Sequence, residues 1–128
     1  MKKVLILVFA IITATTTVSA QTAQDKGKAI ASYYHSKFNG RKTATGDTYW
    51  DHLKTAASNV YKLGTKLLVT NTKTGKSVTV VVNDRMAKHI KGRVDLSKSA
   101  FEKIAHTAYG IVPVHVEIIE PNSSSGIL

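Results

Sequence analysis

Asn83-Asp84-Arg85 closes the hydrophobic, β-prone run Val78-Thr79-Val80-Val81-Val82. A carboxylate held at the mouth of a buried strand, with a guanidinium beside it, is the starting material of a site. Asp84 can exchange a proton there, and Arg85 or Arg41 can grip a carboxylate bidentately. The bland alternative is an ion pair of Asp84 with Arg85 or Arg93 that only braces the fold. Asp95, in Val94-Asp95-Leu96-Ser97, reads as a structural residue bonding backbone amides where a helix begins. Five rings, Tyr33, Tyr34, Phe38, Tyr49 and Trp50, precede the β-run and can line a groove or pack a core. In a regular strand Tyr33 and Tyr34 point to opposite sides, so one belongs to the core and Tyr34 is assigned to the groove.

The elements that must position these groups are mostly strands. Alternating or β-branched runs predict strands over residues 28–34, 66–70, 77–82 and 111–119. Asn71-Thr72-Lys73-Thr74-Gly75-Lys76 joins two of them, and its late glycine suits a hairpin turn needing positive φ. In the last strand Val112, Val114, Val116 and Ile118 share the inward face, which leaves Pro113, His115 and Glu117 outside and makes His115 a surface residue. One helix is expected over residues 98–108, with Phe101, Ile104, Ala105 and Ala108 as its buried stripe. Ser97 or Ser99 would start it, Ser99 and Glu102 would form a capping box, and Gly110 would end it.

Composition narrows the function classes. The chain has no cysteine, which excludes disulfides, thiolate metal sites and a lipid-modified cysteine. Neither metal-type histidine spacing, nor a phosphate-cradling glycine loop, nor a Gly-x-Ser-x-Gly elbow occurs, so no metal and no cofactor are expected. Lys2 and Lys3 precede an apolar run that closes on Val18-Ser19-Ala20, the pattern of a signal peptide cut after Ala20. The run is far short of the roughly 18 to 20 residues a membrane span needs. The expected organisation is therefore a signal peptide over 1–20, a flexible lead over 21–26, one domain over 27–120 and a flexible tail over 121–128. Without residues 1–20 the chain holds 16 basic and 8 acidic residues. In an exported protein that balance favours anionic envelope partners such as wall polymer, lipid or teichoic phosphate, or peptide carboxylates, rather than nucleic acid, unless it serves solubility alone.

Across residues 27–119 the segments follow the order of a known family. Ala31-Ser32-Tyr33-Tyr34 and Phe38-Asn39-Gly40-Arg41-Lys42-Thr43-Ala44-Thr45-Gly46 come first, then Thr55-Ala56-Ala57, Leu63-Gly64-Thr65 and Val69-Thr70-Asn71. Asn83-Asp84-Arg85 and Gly92-Arg93-Val94-Asp95-Leu96-Ser97 complete the series. The set resembles the rare lipoprotein A family. The resemblance implies a mainly β fold, a six-stranded double-psi β-barrel with one or two short helices, related to expansins and barwin. It also implies peptidoglycan glycan strands as the partner and a periplasmic or extracellular location.

Members of that family act as lytic transglycosylases on strands stripped of stem peptides. They cut the β-1,4 link between N-acetylmuramic acid and N-acetylglucosamine and close a 1,6-anhydro ring. Because the sugar's own 6-hydroxyl is the nucleophile, one carboxyl can serve first as acid and then as base, unlike the two carboxylates of ordinary glycosidases. The resemblance puts the catalytic carboxylates on Asp84 and Asp47, although the family position matching Asp47 is commonly glutamate. It puts Ser58 where the family has a histidine, with His35 and His52 as the nearby imidazoles that could replace it. Asp51 reads as a turn residue. Ser58, Arg85, Tyr34, Arg41 and Tyr49 form the expected substrate-binding set. The departures at Asp47 and Ser58 keep a second reading open, a non-catalytic expansin-like wall-binding module, and a third in which the barrel is the scaffold of a secreted inhibitor.

Overall fold

The computed structural model describes residues 27–120, so the expected leader, lead and tail lie outside the described residues. Strands β3 (Lys66–Asn71) and β4 (Ser77–Asp84) form the hairpin expected from alternation. Gly75 takes φ 75° and donates to the Asn71 carbonyl at 2.8 Å, while Asn71 Oδ1 accepts from Lys73 N at 2.9 Å. A side chain at Gly75 would strain that backbone. Strand β6 (Val112–Glu120) pairs with β3 and with β1 (Lys28–Tyr33), both antiparallel.

Two further strands escape the period-two pattern because they are too short to show it. They are β2 (Thr55–Ala57) and β5 (Arg93–Leu96). They complete a closed barrel in the order β1-β5-β2-β4-β3-β6, with β1/β5 and β2/β4 parallel and the other pairs antiparallel. This six-stranded closure is the double-psi β-barrel, in which each strand has a neighbour on both sides. Leu67, Val69, Val80, Val82, Val94, Leu96 and Val114 fill the interior.

Helix α1 (Lys98–Ile104) packs Ala100, Phe101 and Ile104 into the same core. It is shorter than expected. Asn71 Nδ2 donates to the Ile104 carbonyl at 2.9 Å, Ala105 turns extended, and a separate 3-10 turn (Thr107–Tyr109) follows, started by His106 Nδ1 accepting from Ala108 N. Ala108 is accordingly exposed and not part of the buried stripe. The capping box does not form either. Ser97 is the N-cap, but its hydroxyl donates to the Leu53 carbonyl, and Ser99 Oγ donates to the same carbonyl while accepting from Lys54. These bonds tie the helix start to the segment entering β2. Gly110, at φ 68°, ends the 3-10 turn and not α1. On β6, Val112, Val114 and Val116 are buried as expected, yet Ile118 is 52% exposed. Its neighbour β1 is in register with β6 only through His115, so no described strand accompanies β6 on that side beyond.

Candidate active site

Strand β2 lies between β4 and β5, and Ala57 is in register with Asp84 on one side and Asp95 on the other. With strands about 4.8 Å apart, the two Cα atoms are separated by about 10 Å across a single methyl group. The register between β2 and β4 shifts at Ala56/Ala57, where Val82 pairs with Ala56 and Asp84 with Ala57. Val82 faces the core, and strict alternation would turn Asp84 inward behind it. The extra residue, Asn83, forms a bulge that re-aims Asp84 to the outer face, a common use of bulges beside sites.

Asp84 gathers three donors, two of them from distant segments. Tyr34 OH donates to Oδ2 at 2.6 Å, while Ala44 N at 3.0 Å and Arg85 N at 2.9 Å donate to Oδ1. Tyr34 follows β1 and stacks on Tyr49, ring centroids 4.3 Å apart. Burial, reinforced by Asp84, pushes the Tyr34 hydroxyl well above the usual phenol range and keeps it a donor. Tyr33 points the other way, against Phe101 in the core, as alternation requires.

Asp95 departs from its sequence reading. It bonds no backbone amide among the described residues; Oδ1 accepts from Ser32 Oγ at 2.8 Å across the parallel β1/β5 pair. Burial pushes its carboxyl above the usual range and nearby Asp84 adds to this, against the opposing pull of Ser32 and Arg93. No buried polar side-chain atom among the described residues lacks a partner, so the unengaged Oδ2 opens onto solvent in the cleft. A half-buried carboxyl whose affinity for its proton is raised, beside a second carboxylate, is the kind of arrangement that can separate acid from acceptor roles. Its sequence signal is its place in the motif Gly92-Arg93-Val94-Asp95-Leu96-Ser97, on a strand too short to show a period.

The cleft above Ala57 encloses about 400 Å³, and Asp84, Asp95, Tyr34, Tyr49, Arg41 and Arg85 are among its lining residues. Arg85 lines it with its stem, since its guanidinium donates to the carbonyls of Ser58 and Tyr61 and braces that segment. It makes no pair with Asp84. Arg41 lies over the Phe38 ring, 5.3 Å from its centroid. Ser58 does not reach the cleft wall: it is 1% exposed, and its hydroxyl accepts from Val60 N and Tyr61 N. Asp47 sits exposed on the turn whose Ala44 contacts Asp84, and its Oδ2 accepts from Thr45 Oγ1 at 2.8 Å. The turn thus belongs to the site, while the Asp47 side chain is not among the lining groups.

Asp51 is more than a turn residue. It accepts from Ser36, Asn39 and Tyr49, locking the aromatic segment to the 36–39 turn. Burial pushes its carboxyl up, but those three donors and Lys98 outweigh it and hold it below the usual range. His35 caps the 36–38 turn by accepting from Lys37 N, and His52 stacks beside exposed Trp50. No histidine among the described residues lines the cleft, and these residues hold no cluster that could bind a metal.

Residues 26–116 match the family described as "Lytic transglycolase". The chain is 46% identical over 92 residues to an endolytic peptidoglycan transglycosylase RlpA of Pasteurella multocida, covering 71% of this chain and 31% of that protein. It is 38% identical over 107 residues to one of Neisseria meningitidis, covering 84% and 45%. It therefore spans less than half the length of these relatives. An uncharacterized Synechocystis protein is 44% identical over 86 residues, covering 67% of this chain and 91% of that one. Among solved structures, an expansin of Clavibacter michiganensis superposes with a TM-score of 0.58 at 24% identity, covering 78% and 52%. Cerato-platanin 3 from M. perniciosa gives 0.55 at 15%, covering 73% and 94%. At those identities the two structures speak for the fold alone.

Proposed function

The chain belongs to the lytic transglycolase family of double-psi β-barrels, and from that premise we propose that it cleaves peptidoglycan glycan strands stripped of stem peptides, leaving 1,6-anhydromuramyl ends. The observation that carries the reading is the pair of carboxyls in one cleft on either side of Ala57, Asp95 raised above the usual carboxylate range by burial and Asp84 held by three donors. Export, suggested by the basic and apolar N-terminal segment, would bring the protein to that polymer. Among the described residues, no helix is long and apolar enough to cross a membrane.

The chemistry assigns each group a step. Asp95 gives its proton to the glycosidic oxygen, and the bond from that oxygen to the muramyl C1 breaks. The muramyl 6-hydroxyl then attacks C1 and returns its proton to Asp95, so the carboxyl is regenerated and no water is consumed. Asp84 faces the positive charge that develops on the sugar ring. Tyr34, the amide of Ala44 and the amide of Arg85 hold it there, so the charge meets a preset acceptor and not a mobile one. Tyr34 and Tyr49, stacked and buried, make the wall rigid. This scheme replaces the family's second carboxylate, carried over to Asp47, with Asp95. It does not need the imidazole whose position Ser58 occupies.

Mass spectrometry of material released from purified, peptide-free glycan strands tests the scheme. Anhydromuramyl products from the native chain that disappear in both Asp84→Asn and Asp95→Asn support it. A chain that sediments with the strands and releases nothing is instead a wall-binding module.

A further inference from the structure

The cleft carries more positive charge than acid chemistry requires. Arg41, Lys42, Arg85 and Arg93 all line it, against Asp84 and Asp95. Arg85 is spent on the carbonyls of Ser58 and Tyr61, and Arg41 stacks on Phe38. Lys42 and Arg93 are different. Both are exposed, and no hydrogen bond to another described residue engages the side chain of either. Arg93 opens β5 two residues before Asp95, so alternation puts both on the outer face of that strand. Lys42 comes from the opposite side of the chain fold, at the isolated bridge with Thr48 that closes the turn touching Asp84. Two cations from separate segments, neither hydrogen-bonded through its side chain to a described residue, therefore border the acid pair, Arg93 close enough to act on Asp95 through its charge.

We infer that Lys42 and Arg93 form a carboxylate-reading pair that selects glycan strands whose muramyl lactyl groups are free acids. The inference rests on the glycan-cleaving reading above and assigns a physical device for its strand preference. In a strand without stem peptides every muramyl residue bears one ionised carboxylate. Where a stem peptide is attached, that carboxyl is a neutral amide and offers the cations no charge to pair with. A guanidinium recognises the free group through its planar fork, while the lysine adds a point charge. Both cations are exposed, so each contact is weak and the pair together is worth about tenfold in affinity.

The test is a ratio of affinities. Peptide-free glycan oligomers and the same oligomers with the lactyl carboxyl converted to its methylamide are titrated into the full chain carrying Asp95→Asn, which blocks turnover in every arm. Expected is about tenfold tighter binding of the free acid, falling to a ratio near one when Arg93→Gln and Lys42→Gln are added, with Arg93→Lys in between. A native ratio near one overturns the inference. So does an equal loss for both oligomers in the Gln variants, which would mean that Arg93 and Lys42 only shape the cleft. Cleavage by the native chain is scored separately. Selective binding without anhydro products would remove the transglycosylase reading and leave carboxylate recognition standing; cleavage with a flat ratio would do the reverse.

Discussion

The two ends of β4 present two clefts of opposite character. The larger, about 740 Å³, lies at the start of the strand between the 71–76 turn and the segment after α1. The smaller, about 400 Å³, lies at its end around Asp84. The larger one has an exposed tyrosine, Tyr109 at 72%, with Ile111, Lys73, Lys76 and one carboxylate, the exposed Glu102. Nothing there holds a titratable group out of water. The smaller cleft half-buries Asp95, shifts it, and ties Asp84 to two distant segments, through Tyr34 and Ala44, besides the amide of neighbouring Arg85. Volume alone does not make a site. What makes one is a carboxyl whose environment departs from solvent, held by partners that do not move.

The sharpest break of this contrast is Asp95→Asn. It should lower release of anhydro products by about a thousandfold or more, within the usual range for losing a general acid. The same change should stabilise the fold at neutral pH. A carboxyl whose folded-state pKa is raised contributes full stability only below its unfolded value of about 3.9, and that contribution is lost as pH rises through the folded value. The variant should therefore melt a few degrees higher than the native chain at pH 7, by about 2–5 °C, with the gap closing toward pH 4. A lower melting temperature at pH 7 would mean that the Ser32 contact needs the acid itself.

Tyr34→Phe comes next. It removes the 2.6 Å donor from Asp84 and keeps the ring stacked on Tyr49. Turnover should fall about ten- to a hundredfold, with a loss of about 1 kcal/mol in stability. Denaturant titration alongside product assays separates the two effects, and an unchanged turnover would show that Asp84 is held well enough by amides alone. Ser58→Ala should act on stability only. Losing the acceptor for Val60 N and Tyr61 N costs about 1 kcal/mol, and turnover should stay within about threefold of native; a larger fall would restore Ser58 to the substrate contacts. The smallest effect is expected at the other end. Tyr109→Ala in the larger cleft should leave product release within about twofold, and a tenfold loss would show that the two clefts work together.

Long elements are legible in the residues themselves, because hydrophobic alternation over five or more positions leaves little choice of face. The hairpin 66–82, the last strand and the core side of α1 are all readable on that ground. β2 and β5 show only as motifs of a family, since three or four residues carry no period. The different role of Asp95 has the same cause. Its meaning depends on β5 being a strand at all, and on that strand lying next to β2 and β1. Ser58 differs for the converse reason: a motif assigns a position, but the short loop after β2 turns its hydroxyl back onto its own amides.

Sequence alone determined that this chain is mostly strands with an ionisable residue at the end of its most hydrophobic one, because local propensity and alternation act within a few residues; closure into a barrel was implied only by the family resemblance. It also determined the excess of positive charge and the absence of thiol chemistry. Tertiary structure decided which carboxyls share a cleft. Asp84 faces Asp95 only because a bulge at Asn83 reverses its direction and a three-residue strand sets both beside Ala57. Tyr34 reaches Asp84 across 50 residues of chain. Those juxtapositions are set by barrel closure, a property of all six strands together and of no segment taken singly.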